Sequence, residues 1–443
     1  MKNTHDTDDK LFGAWDSFAI IIGIVLGVGI FRVPAEVAQY LSTPKLIILA
    51  WFIGGVFSFL GAICYAELSS CFPKTGGDYV YLNKSYGGLV SFLYGWSNIL
   101  VIRPGSIAAV SFIFAEHLAS LFSLQAYMIK WLAVCLVLLL SLINGVRPSH
   151  GKYLQSVSSG LKAAALLAII FFGALLPKGD IANFHSLKTS TNPSLLLSFG
   201  LALIPILWTY GGWQENTFLS GETKDAQRTV PKILLISIFF VTLAYMAVNL
   251  VYIYVFPVER IAASPLIASD LMQVLSGKWA KGILETLILV FAFGAVNGLI
   301  ITSARITYAI SKDNPIFGYL NKADNRFNAP YRSILVNAAW TIILIAWGSF
   351  NKLLFFTGTL VWLFFALVGI GIFILRRRFA GMERPYKIWG YPATPLVFTA
   401  VCVGLVISTV YSFPAQSIAG FLIMLSGVPA YIVSKKLAQN PSR

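Results

Sequence analysis

The chain has 443 residues, 57% hydrophobic and only 12% charged, against roughly 25% charged in a soluble globular domain. That balance excludes a soluble enzyme or binding domain and indicates an integral membrane protein. The net charge of +15 does not point to nucleic acid, because most Lys and Arg fall in segments on one side of the apolar runs. The positive-inside rule then puts both termini in the cytoplasm.

Residues 1–13 read as a polar cytoplasmic tail containing Asp6, Asp8 and Asp9. It lacks the apolar core and small-residue cleavage site of a secretory signal, so it is expected to be retained. Apolar runs long enough to cross ~30 Å of hydrocarbon as helices follow, about twelve of them. They cover 14–38, 46–70, 87–118, 127–146, 153–176, 194–220, 231–256, 279–310, 331–349, 352–375, 391–412 and 414–434. Between spans two and three, residues 71–86 are too polar to span, and Pro73, Gly76 and Gly77 mark turns. The outward stretch 257–278 holds an amphipathic piece around Leu266 to Leu275, expected as a short helix over the outer vestibule. After span ten comes the densest basic cluster, Arg376-Arg377-Arg378 with Arg384 and Lys387, facing the anionic inner leaflet.

Spans one and six are interrupted by glycine: Gly23, Gly27 and Gly29 in the first, Gly211 and Gly212 in the sixth. Glycine costs a helix interior roughly 1 kcal/mol relative to alanine. One reading of Gly23 and Gly27, four residues apart, is a close helix-packing seam. The other is an unwound stretch at mid-depth, whose unpaired backbone groups are tolerable only where they meet a cavity or ligand. Matching breaks in two halves of a chain mark a transporter's binding site.

The N–H groups after the span-one break would attract a carboxylate. In span six, Pro205-Ile-Leu-Trp208-Thr-Tyr210-Gly211-Gly212-Trp213 would offer carbonyls to an ammonium group beside aromatic side chains. A ligand with both groups on neighbouring atoms is an α-amino acid. From the break positions, the expected organisation is a first five-helix repeat (14–180) and a second, inverted one (190–380). Helices eleven and twelve (388–435) are appended, and a cytoplasmic tail (436–443) closes the chain.

Several ordered motifs support a resemblance over nearly the whole chain. They are Gly27-Val-Gly29-Ile-Phe31, Cys64-Tyr-Ala-Glu-Leu68 with Lys74-Thr-Gly-Gly-Asp-Tyr79, Ile102-Arg-Pro104, Tyr210-Gly-Gly-Trp213 with Gly221-Glu-Thr, and Arg228-Thr-Val-Pro231. Ser303-Ala-Arg305, Tyr308-Ala309 and Arg384-Pro-Tyr-Lys387 complete the set. The chain resembles the amino acid–polyamine–organocation (APC) superfamily, and within it the L-type amino acid transporters and their bacterial relatives. The resemblance implies an all-α membrane protein with the LeuT-type 5+5 inverted repeat, about twelve transmembrane helices, and helices 1 and 6 broken.

Carried over by position, the resemblance implies that the Val28 and Gly29 amides meet the substrate carboxylate, with Gly27 in the same unwound stretch. The carbonyls of Leu26, Trp208 and Gly211 would meet the amine, beside Gly212. Trp208 stands where the family often has a gating phenylalanine, and Tyr210 and Trp362 belong to the aromatic surroundings of the pocket. Val28 replaces the family's serine, which removes a hydroxyl but keeps the N–H.

A lysine at the bilayer centre costs about 2.5–3.5 kcal/mol on insertion scales, so Lys162 in span five needs an internal partner, a function or a route for snorkelling to the surface. Sodium-independent members carry lysine at this position, where the resemblance implies a substitute for bound sodium. Arg32 and Glu36, one turn apart, read as a local ion pair, although Arg32 is also placed to meet an anionic substrate side chain. Arg103 reads as a helix anchor, and Glu67, Glu215 and Glu222 as structural or cytoplasmic-gate ion pairs.

The four histidines show no metal-binding spacing and the four cysteines are not expected to form a disulfide. No cofactor, metal site or enzyme activity is expected.

The expected function is sodium-independent transport of neutral L-amino acids across a cell (inner or plasma) membrane, as an exchanger or a proton-coupled symporter. Two alternatives stay open: a cationic amino acid or polyamine antiporter, and a non-transporting amino acid sensor. The antiporter would need an acid facing the pocket, for which only Glu215 lies near a break. In the animal exchangers a cysteine after helix three links to an accessory glycoprotein. Residues 118–127 contain none, so no disulfide-linked accessory subunit is expected.

Overall fold

The computed structural model describes residues 18, 22, 25–73, 76–146, 151–176, 178–185, 195–218, 223–321 and 331–439. At 146, 151–159, 216, 218, 305, 308, 309, 312, 313 and 319–321 only the backbone is described. The N-terminal tail, Gly23, Lys74, Thr75, Gly221 and Glu222 therefore lie outside the described residues.

The regular elements among the described residues are helices. Eight are long and apolar enough to cross a membrane: Pro44–Cys71, Gly88–Leu121, Met128–Gly145, Ala226–Val255, Lys278–Ala304, Phe350–Arg378, Ala393–Ser412 and Pro414–Gln439. Three shorter apolar helices, Gly160–Leu175, Leu195–Tyr210 and Tyr331–Trp347, fall at sequence spans five, six and nine. Large apolar side chains such as Trp131, Phe171, Phe239 and Leu422 are exposed along these helices. Water would make that costly, whereas lipid tails accept it. The chain is a multi-pass membrane protein.

Local chemistry explains where helices begin and bend. Proline sits at the first turn of Val33–Tyr40, Pro44–Cys71 and Pro414–Leu425, where its missing N–H would have no intrahelical partner anyway. The helix from Gly88 to Leu121 carries a π-turn at Asn98–Ile102, just before Arg103 and Pro104. A proline there removes a backbone donor and clashes with the preceding turn, and a wider turn relieves both. The polar 71–86 stretch turns at Gly76 and Gly77, both at positive φ, and then forms the helix Asp78–Tyr86.

The chain divides into two compact units, each assembled from separate stretches of sequence. The first holds residues 1–85, 159–284 and 365–405. In it, helix Pro44–Cys71 packs along Ala226–Val255 and Leu195–Tyr210. The expected outward helix is present as Ile267–Ser276, preceded by Val258–Ala263. It packs against the short turn Val28–Phe31.

The second unit holds residues 86–158, 285–364 and 406–443. In it, Arg103–Leu121, Met128–Val146 and Tyr331–Trp347 pack together. Its interior polar groups bond across helices: Asn144 Nδ2 to Asn297 Oδ1 at 2.6 Å, Ser303 Oγ to Asn337 Oδ1 at 2.8 Å, and the Trp340 indole to the Leu100 carbonyl.

Candidate functional site

Within the first unit, both sequence-identified breaks are present. In span one Phe18, Ile22 and Val25 are helical, and the Leu26 N–H donates to the Ile22 carbonyl at 2.8 Å. Gly27 is extended (φ −74°, ψ 175°), Val28–Phe31 form one 3-10 turn, and a new helix, Val33–Tyr40, begins beyond Arg32. In span six, helix Leu195–Tyr210 ends in a turn in which the Gly211 N–H donates to the Trp208 carbonyl at 3.1 Å. Gly212 takes φ 101°, a conformation that a side chain disfavours. Its N–H is met by Gln214 Oε1 at 3.1 Å before a short helix, Glu215–Phe218.

The two breaks touch. A Cβ on Gly29 would lie 3.0 Å from Thr209 Oγ1 and 3.1 Å from Trp208 Cζ3, a fit so tight that those side chains would have to give by a few tenths of an ångström to admit it. Leu26, Gly27, Val28, Gly29, Trp208, Tyr210, Gly211 and Gly212 are thereby brought into one region of this unit. Trp208 is half-buried, with its ring edge against Gly29. Trp362 is buried in the second unit, on helix Phe350–Arg378.

A residue that sequence reasoning missed joins the breaks. Tyr245, on helix Ala226–Val255, is fully buried, and its hydroxyl lies 2.6 Å from the Val25 carbonyl and 3.3 Å from the Thr209 carbonyl. These carbonyls belong to the last turns before the two breaks. The available signal was a tyrosine in the middle of an apolar span, since a buried phenol needs a partner. Tyr245 also packs against Trp51 and Tyr210, with ring centroids 5.7 and 5.1 Å away. The Tyr210 hydroxyl donates to the Trp51 carbonyl at 3.1 Å, so its tip is held against helix Pro44–Cys71.

Just past the double glycine, Trp213 is core packing. It meets Tyr65 edge-on at 5.0 Å and Phe365 at 5.8 Å. A Cβ on Gly61 would stand 2.9 Å from the Trp213 ring, so glycine on helix Pro44–Cys71 makes the socket.

The charges divide into distinct arrangements. Arg32 Nη1 and Glu36 Oε1 form the expected i,i+4 pair at 2.5 Å, buried on both sides. Glu67 is buried and accepts a two-pronged bond from Arg376: Nε to Oε1 at 2.8 Å and Nη2 to Oε2 at 2.5 Å. It also accepts the Ile388 N–H at 2.8 Å and lies 3.5 Å from Arg384 Nε. Arg384 in turn donates to the Met382 and Phe379 carbonyls, each at 3.0 Å. Glu67 is thus ion-paired, as expected from sequence, and it ties the end of helix Pro44–Cys71 to the loop after helix Phe350–Arg378. In that loop, burial pushes the Tyr386 phenol up to about 12, with Cys64 and Glu67 adding to the shift.

Lys162 is 2% exposed in the first unit. Its ammonium is enclosed by protein, and the snorkelling alternative does not hold. Arg103 is also buried, at the start of the helix that follows the π-turn.

Residues 12–433 match the family described as amino acid permease. The chain belongs to this amino acid permease family, which makes it a membrane transporter and not an enzyme. It is 28% identical to the serine/threonine exchanger SteT of Bacillus subtilis (strain 168) over 442 residues, covering 98% of this chain and 99% of that protein. It is 29% identical to the human cystine/glutamate transporter over 418 residues, or 93% of this chain and 83% of the relative. The large neutral amino acids transporter small subunit 2 of Rattus norvegicus is 28% identical over 447 residues, covering 98% and 82%.

Proposed function

We propose that this permease moves neutral L-amino acids by alternating access, independently of sodium, as an exchanger or proton-coupled symporter in a cell (inner or plasma) membrane. The observation that carries the proposal is the contact between the breaks of spans one and six at Gly29, Thr209 and Trp208. Helix ends opened at mid-membrane depth put N–H donors and C=O acceptors side by side in a low-dielectric setting, where a zwitterion satisfies both. Val28 and Gly29 would hold its carboxylate, and the carbonyls of Leu26, Trp208 and Gly211 its amine. Trp208 would shape the side-chain pocket.

Among the described residues of the Val28–Phe31 turn and helix Val33–Tyr40, the one acid is Glu36, which is paired to Arg32; this favours an uncharged substrate side chain over a cationic one. The relatives include one described as an exchanger and one as a large neutral amino acids transporter subunit, which supports the same reading.

In this proposal the full architecture is twelve helices in a LeuT-type 5+5 inverted repeat, with repeats at 14–180 and 190–380. Helices eleven and twelve span 388–435, and both termini are cytoplasmic. Lys162 takes the place of a sodium ion beside the broken helix one. No disulfide-linked accessory subunit is required.

The test is sodium-free uptake of a labelled neutral amino-acid mixture into proteoliposomes, with and without internal amino acid and with an imposed pH gradient. Uptake that needs internal amino acid means exchange. Uptake into empty vesicles driven by the gradient means symport. No uptake or binding under either condition refutes the proposal.

A further inference from the structure

Arg32 breaks a local rule. It stands between the Val28–Phe31 turn and helix Val33–Tyr40, which puts a cation at the positive end of a helix dipole, where an anion is favoured. Its N–H donates to the Gly29 carbonyl at 3.0 Å, so Arg32 is bonded directly to a residue of the span-one break. The side chain nevertheless runs outward. Its Nη1 meets Glu36 Oε1 at 2.5 Å, with the two side chains only 9% and 5% exposed. Glu36 lies one helical turn, about 5.4 Å, further along, so the guanidinium is drawn away from the break.

A buried ion pair is weak evidence for stability, because apolar side chains of the same size often hold a fold equally well. Local rules are most often broken where function requires it.

The surroundings sharpen the point. Helix Leu195–Tyr210 packs on Val33–Tyr40 and carries no charged residue. Helix Val258–Ala263 also packs there, and its Glu259 and Arg260 are exposed, the Arg260 guanidinium lying over the Phe256 ring at 4.3 Å. Among the described residues of these three helices the buried charge is Glu36, and its partner Arg32, just before Val33, is buried too.

We propose that Arg32 and Glu36 are specificity-determining residues that keep the site neutral toward charged substrate side chains. While Glu36 neutralises Arg32, the outer half of broken helix one attracts neither acidic nor basic amino acids. Without the Glu36 carboxylate, the Arg32 cation next to Gly29 recruits acidic amino acids. Without the Arg32 guanidinium, the Glu36 anion recruits basic ones. The inference rests on the reading of the two breaks as the substrate site.

The experiment is competition of labelled neutral amino-acid uptake by unlabelled L-glutamate and L-lysine in proteoliposomes of the full chain. Wild type, Glu36→Gln and Arg32→Met are compared, and folding is checked by monodispersity and circular dichroism. Glu36→Gln keeps the size and an acceptor oxygen, and is expected to strengthen inhibition by glutamate roughly tenfold, equivalent to about 1.4 kcal/mol. Arg32→Met is expected to do the same for lysine. Glu36→Asp keeps the charge with a shorter reach and is expected to give a smaller gain for glutamate, which keeps the test open if the Gln variant misfolds. A folded variant that retains neutral uptake with an unchanged preference overturns the proposal. Wild type that takes up no neutral amino acid refutes the substrate-site reading instead.

Discussion

The Tyr245 hydroxyl donates to the Val25 carbonyl at 2.6 Å across 220 residues of sequence, and it lies 3.3 Å from the Thr209 carbonyl. One phenol therefore serves the last turn of both interrupted helices. A buried backbone carbonyl needs a partner, so this hydroxyl helps to hold the opening in a fixed shape.

Tyr245→Phe keeps the ring packed against Trp51 and Tyr210 and removes only the hydroxyl. A single buried hydrogen bond contributes about 0.5–1.5 kcal/mol to stability, so the thermal midpoint should fall modestly. Initial uptake rates should fall far more, by about tenfold or greater, if the bond sets break geometry, because small misplacements of binding groups are costly in rate. Equal, small losses in both measurements would reduce Tyr245 to ordinary packing.

Gly29→Ala places a methyl group 3.0–3.1 Å from Thr209 and Trp208. Overpacking of this kind costs typically 1–3 kcal/mol and here requires Thr209 and Trp208 to shift at the contact between the breaks. Folded protein with amino acid affinity reduced at least tenfold is the expected result, read by equilibrium binding. Normal affinity would move the site away from this contact.

Glu67→Gln leaves Arg376 and Arg384 without their carboxylate. Removing one partner of a buried pair costs about 3–5 kcal/mol, and Arg376 is partly exposed, so the lower end applies. A clear drop in thermal midpoint is expected, along with faster proteolysis of the 379–392 loop anchored by Ile388 and Arg384. An unchanged midpoint would mean that the loop is held without the Glu67 carboxylate.

Lys162→Ala removes a cation that is enclosed in the first unit. If the lysine replaces a sodium ion beside broken helix one, the variant should lose most of its transport while remaining folded, and added sodium should restore part of the rate. Wild-type, sodium-independent transport by Lys162→Ala would end that assignment.

Trp208→Phe trims the ring whose edge lies against Gly29. A larger pocket should improve competition by bulky neutral side chains relative to small ones. An unchanged inhibition profile would place the side-chain pocket elsewhere.

Much of the fold was legible in sequence because a membrane span writes itself as composition. From span two onward, each apolar run corresponds to a helix or helix pair, and the amphipathic piece near Leu266–Leu275 is a helix at Ile267–Ser276. The breaks were legible for a similar reason, since Gly27, Gly29, Gly211 and Gly212 are local violations of helix propensity. Arg32 and Glu36 pair within one turn, a distance that spacing alone fixes.

Partners remote in the chain were not legible. Glu67 announced itself as a charge near the end of span two, but that Arg376, Arg384 and the Ile388 N–H converge on it depends on how distant segments pack. Tyr210 is similar: sequence put it beside the break, and packing turned its hydroxyl to the Trp51 carbonyl.

The sequence by itself determined that this chain lives in a membrane, where its helices run and where two of them open, because hydrocarbon imposes length and apolarity while glycine weakens the helix locally. Only the tertiary structure decided that the two openings meet at Gly29 and Thr209, that Tyr245 joins them, and that Lys162 is enclosed. Those outcomes depend on side-chain volumes meeting across helices, such as a missing Cβ here and a phenol of the right reach there, and no one-dimensional pattern records them.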